Sequence, residues 1–291
     1  MNLNDLLAKE VIDPTQVIVL RHRPTEPQLN KVLPWLAAEK PDVFNLYQQV
    51  QTEKLERAML GASHVATFIG REPGKALFVG LYEIKGSKSI NEKQFWQMPG
   101  NIEMRKYGMR GFVANQGRPK VLWFNLVLLD FYSEWKGRLV VNWPPPERSW
   151  WRRAHKNNFL ISCIHDENQL VAGMAEWDML NLAWAELGTM PTVWKAAIRQ
   201  WRGVYYIFDT VLRKGYVGSA SGSENILGRW LGYAASGHGG NKLLKPCDPN
   251  NFRFSILQRV SPDMSAAEVV QLENTWKERL HTRAPLGLNE N

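Results

Sequence analysis

The 291-residue sequence has only two cysteines, Cys163 and Cys247, so neither a disulfide framework nor a cysteine-based zinc site is suggested. It has no uncharged apolar run of the ~18 residues a membrane helix needs. The most apolar stretch, Val121 to Leu129, is interrupted by Asn125 and meets Asp130. The first residues carry Asp5, Lys9, Glu10 and Asp13 where a secretory signal would be apolar. A cytoplasmic protein with no membrane partner is therefore expected. There is no internal repeat and no low-complexity tract, and at 44% hydrophobic and 22% charged the chain is not a disordered one.

Two things are present in excess. Lys and Arg number 36 against 28 Asp and Glu, giving a net charge of +8. Tryptophan occurs 13 times, against about four expected from average usage. Basic charge with aromatic surface suits a nucleic-acid partner only where the two coincide in position.

A boundary is placed near Gly188-Thr189-Met190-Pro191, between helical patterns over Trp177 to Leu187 and Thr192 to Trp201. This gives an α+β chain of two domains, 1–190 and 191–291. The last 101 residues hold 13 basic and 8 acidic side chains, so most of the excess charge falls in the shorter piece. The longer piece opens with a strand at Val17 to Leu20 and two helices, Pro27 to Ala38 and Asp42 to Leu60. Strands follow at His64 to Ile69, Ala76 to Ile84, Lys120 to Leu129, Arg138 to Asn142 and Phe159 to Ile164, separated by turn residues. A β-rich, barrel-like domain is expected. Trp143 to Pro146 and Trp150, Trp151, Arg152 and Arg153 lie in a turn-rich segment, as a nucleic-acid contact or as a loop packed on the barrel.

The last hundred residues carry the chemistry. Gly203-Val204-Tyr205-Tyr206-Ile207-Phe208 reads as a strand, and a short polar turn leads to Tyr216-Val217-Gly218. An antiparallel hairpin closed by an even-numbered loop places Tyr205 opposite Tyr216 on one face. Ser223 is positioned to cap a helix over Glu224 to Ser236, ended by Gly237, from whose edge Arg229 and Tyr233 project together. A glycine-rich, mobile loop holding His238 and Asn241 follows, then a third strand, Phe252 to Leu257. The capping box Ser265 to Glu268 opens a last helix on which Val269, Leu272, Trp276 and Leu280 share a side. Glu273 borders that apolar stripe, and a half-buried carboxylate needs a partner.

Gly-Val-Tyr, ten residues, Tyr-Val-Gly, then Arg229, Tyr233, Glu273 and Asn289 in that order resemble the GIY-YIG nuclease family over roughly the last 90 residues. The resemblance implies a small three-stranded antiparallel sheet flanked by helices, and a divalent-metal-dependent endonuclease that hydrolyses DNA phosphodiester bonds. Tyr205 stands at the general base, with Lys214 and Tyr216 placed to favour its phenolate. Arg229 stands at the residue that holds the scissile phosphate, and Glu273 at the single carboxylate ligand of Mg²⁺ or Mn²⁺. Asn289 stands at a residue that positions the substrate or the metal's surroundings. Tyr233 occupies a position where many members have His and the excision-repair branch has Tyr. His238 and Asn241 are candidate DNA contacts.

A module of this size offers little surface for reading DNA, so the first 190 residues are expected to do the targeting. Their pattern is loosely similar to a PUA-like barrel, which reads modified or extruded bases. A restriction or defence endonuclease is the first reading. A repair or recombination nuclease that recognises DNA shape, and a nuclease recruited through an N-terminal protein-interaction module, are the alternatives. One centre cuts one strand at a time, which points to a homodimer on duplex DNA.

Overall fold

Residues 180–190 settle where one hydrophobic core ends and the next begins. Leu180, Leu182, Leu187 and Met190 pack with Ile207, Trp230 and Phe254, so they belong with the C-terminal residues. The computed structural model describes residues 1–112, 117–171, 173–223 and 225–290. It divides into two units, Met1–Ala172 and Gly173–Asn291, with the division earlier in the chain than the glycine-proline break suggested.

The first unit is mixed α+β. It runs α1 (Leu3–Lys9), β1 (Val17–His22), α2 (Pro27–Glu39), α3 (Pro41–Gln49) and α4 (Glu53–Met59). After these come β2 (His64–Ile69), β3 (Lys75–Asn91), the short helices α5 (Glu92–Trp96) and α6 (Pro99–Arg105), β4 (Lys120–Leu128), β5 (Leu139–Asn142), β6 (Trp151–Arg153) and β7 (Ile161–Ile164). The single helix expected over 42–60 is two, because Val50 turns extended and bridges to Trp123. Proline at the first turn starts both α2 and α3, where its missing N–H costs nothing.

These strands form one seven-stranded sheet in the order β6-β1-β2-β3-β5-β7, with β4 also on β3. It is a curled half-barrel with open edges, so the barrel-like sheet expected is there in part. The 17-residue β3 pairs with β5 and β2 along its first half and with β4 along its second, so the sheet forks there. β1 and β2 are parallel and buried on both faces, which explains the apolar run Val17 to Leu20 in β1. Ile18 and Leu20 pack with Leu55 and Met59, whereas Val17 and Val19 pack with Phe68, Phe78 and Trp143.

The second unit runs β8 (Asn181–Ala183), α7 (Trp184–Leu187), α8 (Thr192–Arg199), β9 (Arg202–Asp209), β10 (Lys214–Ala220), α9 (Asn225–Ser236), β11 (Phe252–Val260) and α10 (Ala266–Arg279). Its sheet is antiparallel with the order β10-β9-β11-β8, four strands where three were expected. The extra strand comes from the stretch read as a helix over 177–187. Leu182 pairs with Phe254, and only the last turn of that stretch is helical. α9 starts at Asn225, and Glu224, where the sequence opened this helix, lies outside the described residues. Trp230, fully buried, anchors α9 on the sheet against Phe254.

Candidate active site

The β9–β10 hairpin has Asp209 opposite Lys214, which sets Tyr205 opposite Gly218 and Tyr216 opposite Ile207. The two tyrosines share a face, as the even loop requires, but they are diagonal neighbours rather than a direct pair. Gly218 makes this arrangement possible. The Tyr205 ring lies across it, and a Cβ there would come within 2.5 Å of the ring carbon Cζ and of the hydroxyl.

Tyr233 on α9 completes the cluster, with its ring edge-on to both hairpin tyrosines. The hydroxyls of Tyr205 and Tyr233 are 3.2 Å apart. Asn241, in the loop after α9, donates from Nδ2 to the Tyr233 hydroxyl at 2.8 Å and to the His238 carbonyl at 3.3 Å. A carbonyl only accepts, so this second bond fixes which end of the amide is nitrogen. Asn241 Oδ1 then faces the Tyr216 hydroxyl at 3.1 Å, and Tyr216 is the donor. The Tyr233 hydroxyl, already accepting from Asn241, has its own hydrogen free for Tyr205. Either hydroxyl of the Tyr205–Tyr233 pair can donate; with Tyr233 donating, the chain of bonds runs from Tyr216 through Asn241 and Tyr233 and ends on the Tyr205 oxygen. Gly239 lets the loop lie this close. Its φ is +55°, and a Cβ would meet the Tyr233 ring at 2.6 Å.

Burial raises Tyr205, Tyr216 and Tyr233 well above the ordinary phenol range. Glu273 raises Tyr205 and Tyr216 further, whereas Arg229 draws all three down. The Tyr233 hydrogen bond also lowers Tyr205. Arg229 is exposed on α9 and, among the described residues, makes no hydrogen bond or ion pair. It is a free guanidinium whose charge acts on two buried phenols, Tyr205 and Tyr233, and on the half-buried Tyr216.

Glu273, on α10, is half-buried with both carboxylate oxygens held. Ser219 Oγ donates to Oε2, and Lys277 Nζ lies 2.8 Å from Oε1. The sequence reading did not include Ser219 or Lys277. Lys277 was visible as the residue one turn after Glu273, the spacing of a helical ion pair. Ser219 had no comparable signal, because its contact with α10 exists only once the helix packs on β10.

Among the described residues no three His, Cys, Asp or Glu side chains converge as a metal cluster. A hard cation such as Mg²⁺ needs only one or two protein carboxylates and oxygen donors, and Glu273 with the Ser219 hydroxyl supplies that chemistry. The Lys277 ammonium already stands against the carboxylate as a positive charge, so the residues fit the group.

Three of the expected site residues have partners within the protein. Lys214 does not reach Tyr205, because its ammonium donates to the Pro285 carbonyl at 2.7 Å. Asn289 is buried, and its amide is spent on one backbone residue: Oδ1 accepts from Val217 N–H at 2.9 Å and Nδ2 donates to Val217 C=O at 2.8 Å. It pairs the open edge of β10 and so holds the strand that carries Tyr216 and Gly218. His238 Nδ1 accepts from Gly240 N–H at 2.9 Å, which shapes the loop.

In the first unit, Trp143 is core and its Nε1 donates to the Ser149 carbonyl at 2.9 Å. Trp151, Arg152 and Arg153 form β6 on β1. The Arg152 guanidinium is used on the Pro144 and Pro146 carbonyls, which braces the proline loop. Trp150 alone of the tryptophans near residue 150 lines a concavity, together with Arg21, His22, Arg23 and Tyr47.

No family model and no curated protein matches the chain. Among solved structures the chain is similar to the catalytic domain of the homing endonuclease I-TevI, at 27% identity over 31% of this chain and 98% of that one, with a TM-score of 0.26. It is likewise similar to a glutamate-to-alanine mutant of the I-TevI catalytic domain, at 25% identity over 32% of this chain and 95% of that one, with a TM-score of 0.26.

Proposed function

We propose that residues 173–291 form an endonuclease centre that hydrolyses DNA phosphodiester bonds with a divalent metal, and that residues 1–172 direct it to a sequence or a modified base, as in a restriction or defence enzyme. One observation carries the reading. Tyr205, Tyr216 and Tyr233 converge through Asn241 into one hydrogen-bonded cluster, and the charges of Arg229 and Glu273 both act on it. The ordered motif from Gly203 to Asn289, which resembles the GIY-YIG family, agrees with it.

In this reading Tyr205 is the base, and a hydrogen bond donated by Tyr233 supports that role. Burial disfavours its phenolate, and the Tyr233 hydrogen bond and Arg229 act against that penalty. As phenolate, Tyr205 takes a proton from the attacking water while the new phosphorus–oxygen bond forms and the bond to the leaving sugar oxygen breaks. Arg229, unpaired in the protein alone, has its donors free for two phosphate oxygens and balances their added charge. Glu273 would hold the metal, which supplies Lewis-acid stabilisation of the phosphate and lowers the pKa of nearby water. Ser219 keeps the carboxylate oriented. Since one centre cuts one strand, a duplex break takes two protomers or two visits.

Tyr205→Phe and Glu273→Ala are expected to leave DNA binding in place and to lower Mg²⁺-dependent plasmid nicking by at least a hundredfold, the scale of lost acid–base catalysis. Nicking at the wild-type rate by both variants would overturn the assignment.

A further inference from the structure

Arg21 is a buried arginine in the first unit with part of its guanidinium unpaired. It is 3% exposed at the end of β1, and its guanidinium carbon sits 4.9 Å from the centre of the Trp143 ring. One terminal nitrogen donates to the Glu147 carbonyl, while Nε and Nη1 have no partner. Leaving donors of a buried guanidinium unpaired costs stability, which a bound anion would offset. Arg23 and Arg152 add like charge around it, opposed by Glu147. Beside Arg21 opens a concavity of about 290 Å³. Its walls include Tyr47, the buried Gln51 and the half-exposed Trp150, and its rim carries Arg23 and Glu26. A second concavity, of about 180 Å³, shares Glu26, Tyr47, Val50 and Gln51 and runs on toward Phe95 and Met109.

Flat aromatic walls, a cationic end and a few polar groups at the rim are what a nucleotide needs: a face to stack on, a charge for its phosphate, and donors or acceptors for the base edge. We infer that this concavity receives one base extruded from DNA, stacked on Trp150 and Tyr47, with its backbone phosphate drawn to Arg21 and Arg23. The volume is close to the small end of ordinary ligand pockets, which suits a single base and not a larger group. Glu26 at the rim and the Gln51 amide oxygen in the wall offer acceptors to the pairing edge of a base. This inference rests on the proposed nuclease function only in taking DNA as the source of the base.

The test uses the full chain in EDTA, so that binding is read without cleavage. Affinity is measured by fluorescence anisotropy for a fully paired duplex and for the same duplex with one base facing an abasic site, which costs less to extrude. The wild-type protein is expected to bind the second duplex about tenfold more tightly. Trp150→Ala and the exposed-site variant Arg23→Gln are expected to bind both duplexes alike. Equal affinity of the wild-type protein for the two duplexes overturns the inference, as does a preference retained by both variants. A free deoxynucleoside monophosphate is expected not to displace either duplex at millimolar concentration. Full displacement would overturn DNA as the source and assign the pocket to free nucleotide. Plasmid nicking by Trp150→Ala is scored separately in Mg²⁺. Loss of the duplex preference with nicking intact supports the pocket, and absence of nicking in every protein removes the nuclease reading while leaving the binding result standing.

Discussion

Glu273 is the residue on which the metal reading turns, and its carboxylate is already shared between Lys277 and Ser219. An incoming divalent ion must compete with the Lys277 ammonium, whose side chain is only 12% exposed and thus poorly screened by solvent. Lys277→Met keeps the apolar stem and removes the competing charge. It is expected to bind Mn²⁺ about tenfold more tightly, equivalent to ~1.4 kcal/mol, as read by electron paramagnetic resonance of free Mn²⁺. Unchanged affinity would mean that Lys277 does not contest the site. At this scale the sequence was legible wherever spacing fixed a partner: Tyr205 and Tyr216 on one strand face, Arg229 and Tyr233 one helical turn apart. It was not legible for Asn241. That residue meets Tyr216 and Tyr233 only because two glycines with positive φ, Gly239 and Gly240, fold the loop back over α9.

At the scale of elements, the hairpin and the C-terminal segment act as one unit. β10 is an edge strand, and an edge leaves every second backbone pair without a ladder partner. The Val217 pair is taken by the Asn289 amide, and Gly215 C=O accepts from Leu288 N–H at 2.9 Å. Asn289→Ala removes two hydrogen bonds from a buried backbone, so a loss of about 1–3 kcal/mol is expected. It should appear as a lower urea midpoint together with faster hydrogen exchange of the Val217 amide. A lower midpoint with Val217 still protected would place the effect elsewhere. Strand positions were readable from alternation, but pairing was less so. Loop parity gave the shared face of the tyrosines and left the register free by two residues. Which residues bind the open edge depends on a tertiary contact 72 positions away. The same limit explains β8. Leu182 has no local signal for strand over helix, and its pairing with Phe254 decides the matter.

At the scale of the whole molecule, the division after Ala172 moves the charge. Glu176, Asp178 and Glu186 fall in the second unit, which then holds 13 basic and 11 acidic side chains, while residues 1–172 hold 23 and 17. The basic excess therefore belongs mainly to the unit proposed to find DNA rather than to the one proposed to cut it, which is where counterion release would supply affinity. The two units are expected to differ in their response to acid. His22 is fully buried, and burial pulls its pKa from 6.5 to about 4, with the Gln48 side chain 3.4 Å away pulling the other way. Phe44 and Tyr47 meet the imidazole edge-on and offer it no counter-charge. A group whose folded pKa is depressed gives full stability above its unfolded value. His22 therefore contributes fully above pH 6.5, progressively less as pH falls, and nothing below about 4. The shift corresponds to roughly 3 kcal/mol. Hydrogen exchange of the full chain at pH 7, 5.5 and 4.5 should show amides of β1 and α3 losing protection, after correction for intrinsic exchange, while those of β9 and α9 keep theirs. His22→Gln, which removes the titration, should flatten the response in β1 and α3. A response of the same size in the variant would assign the acid sensitivity to other groups.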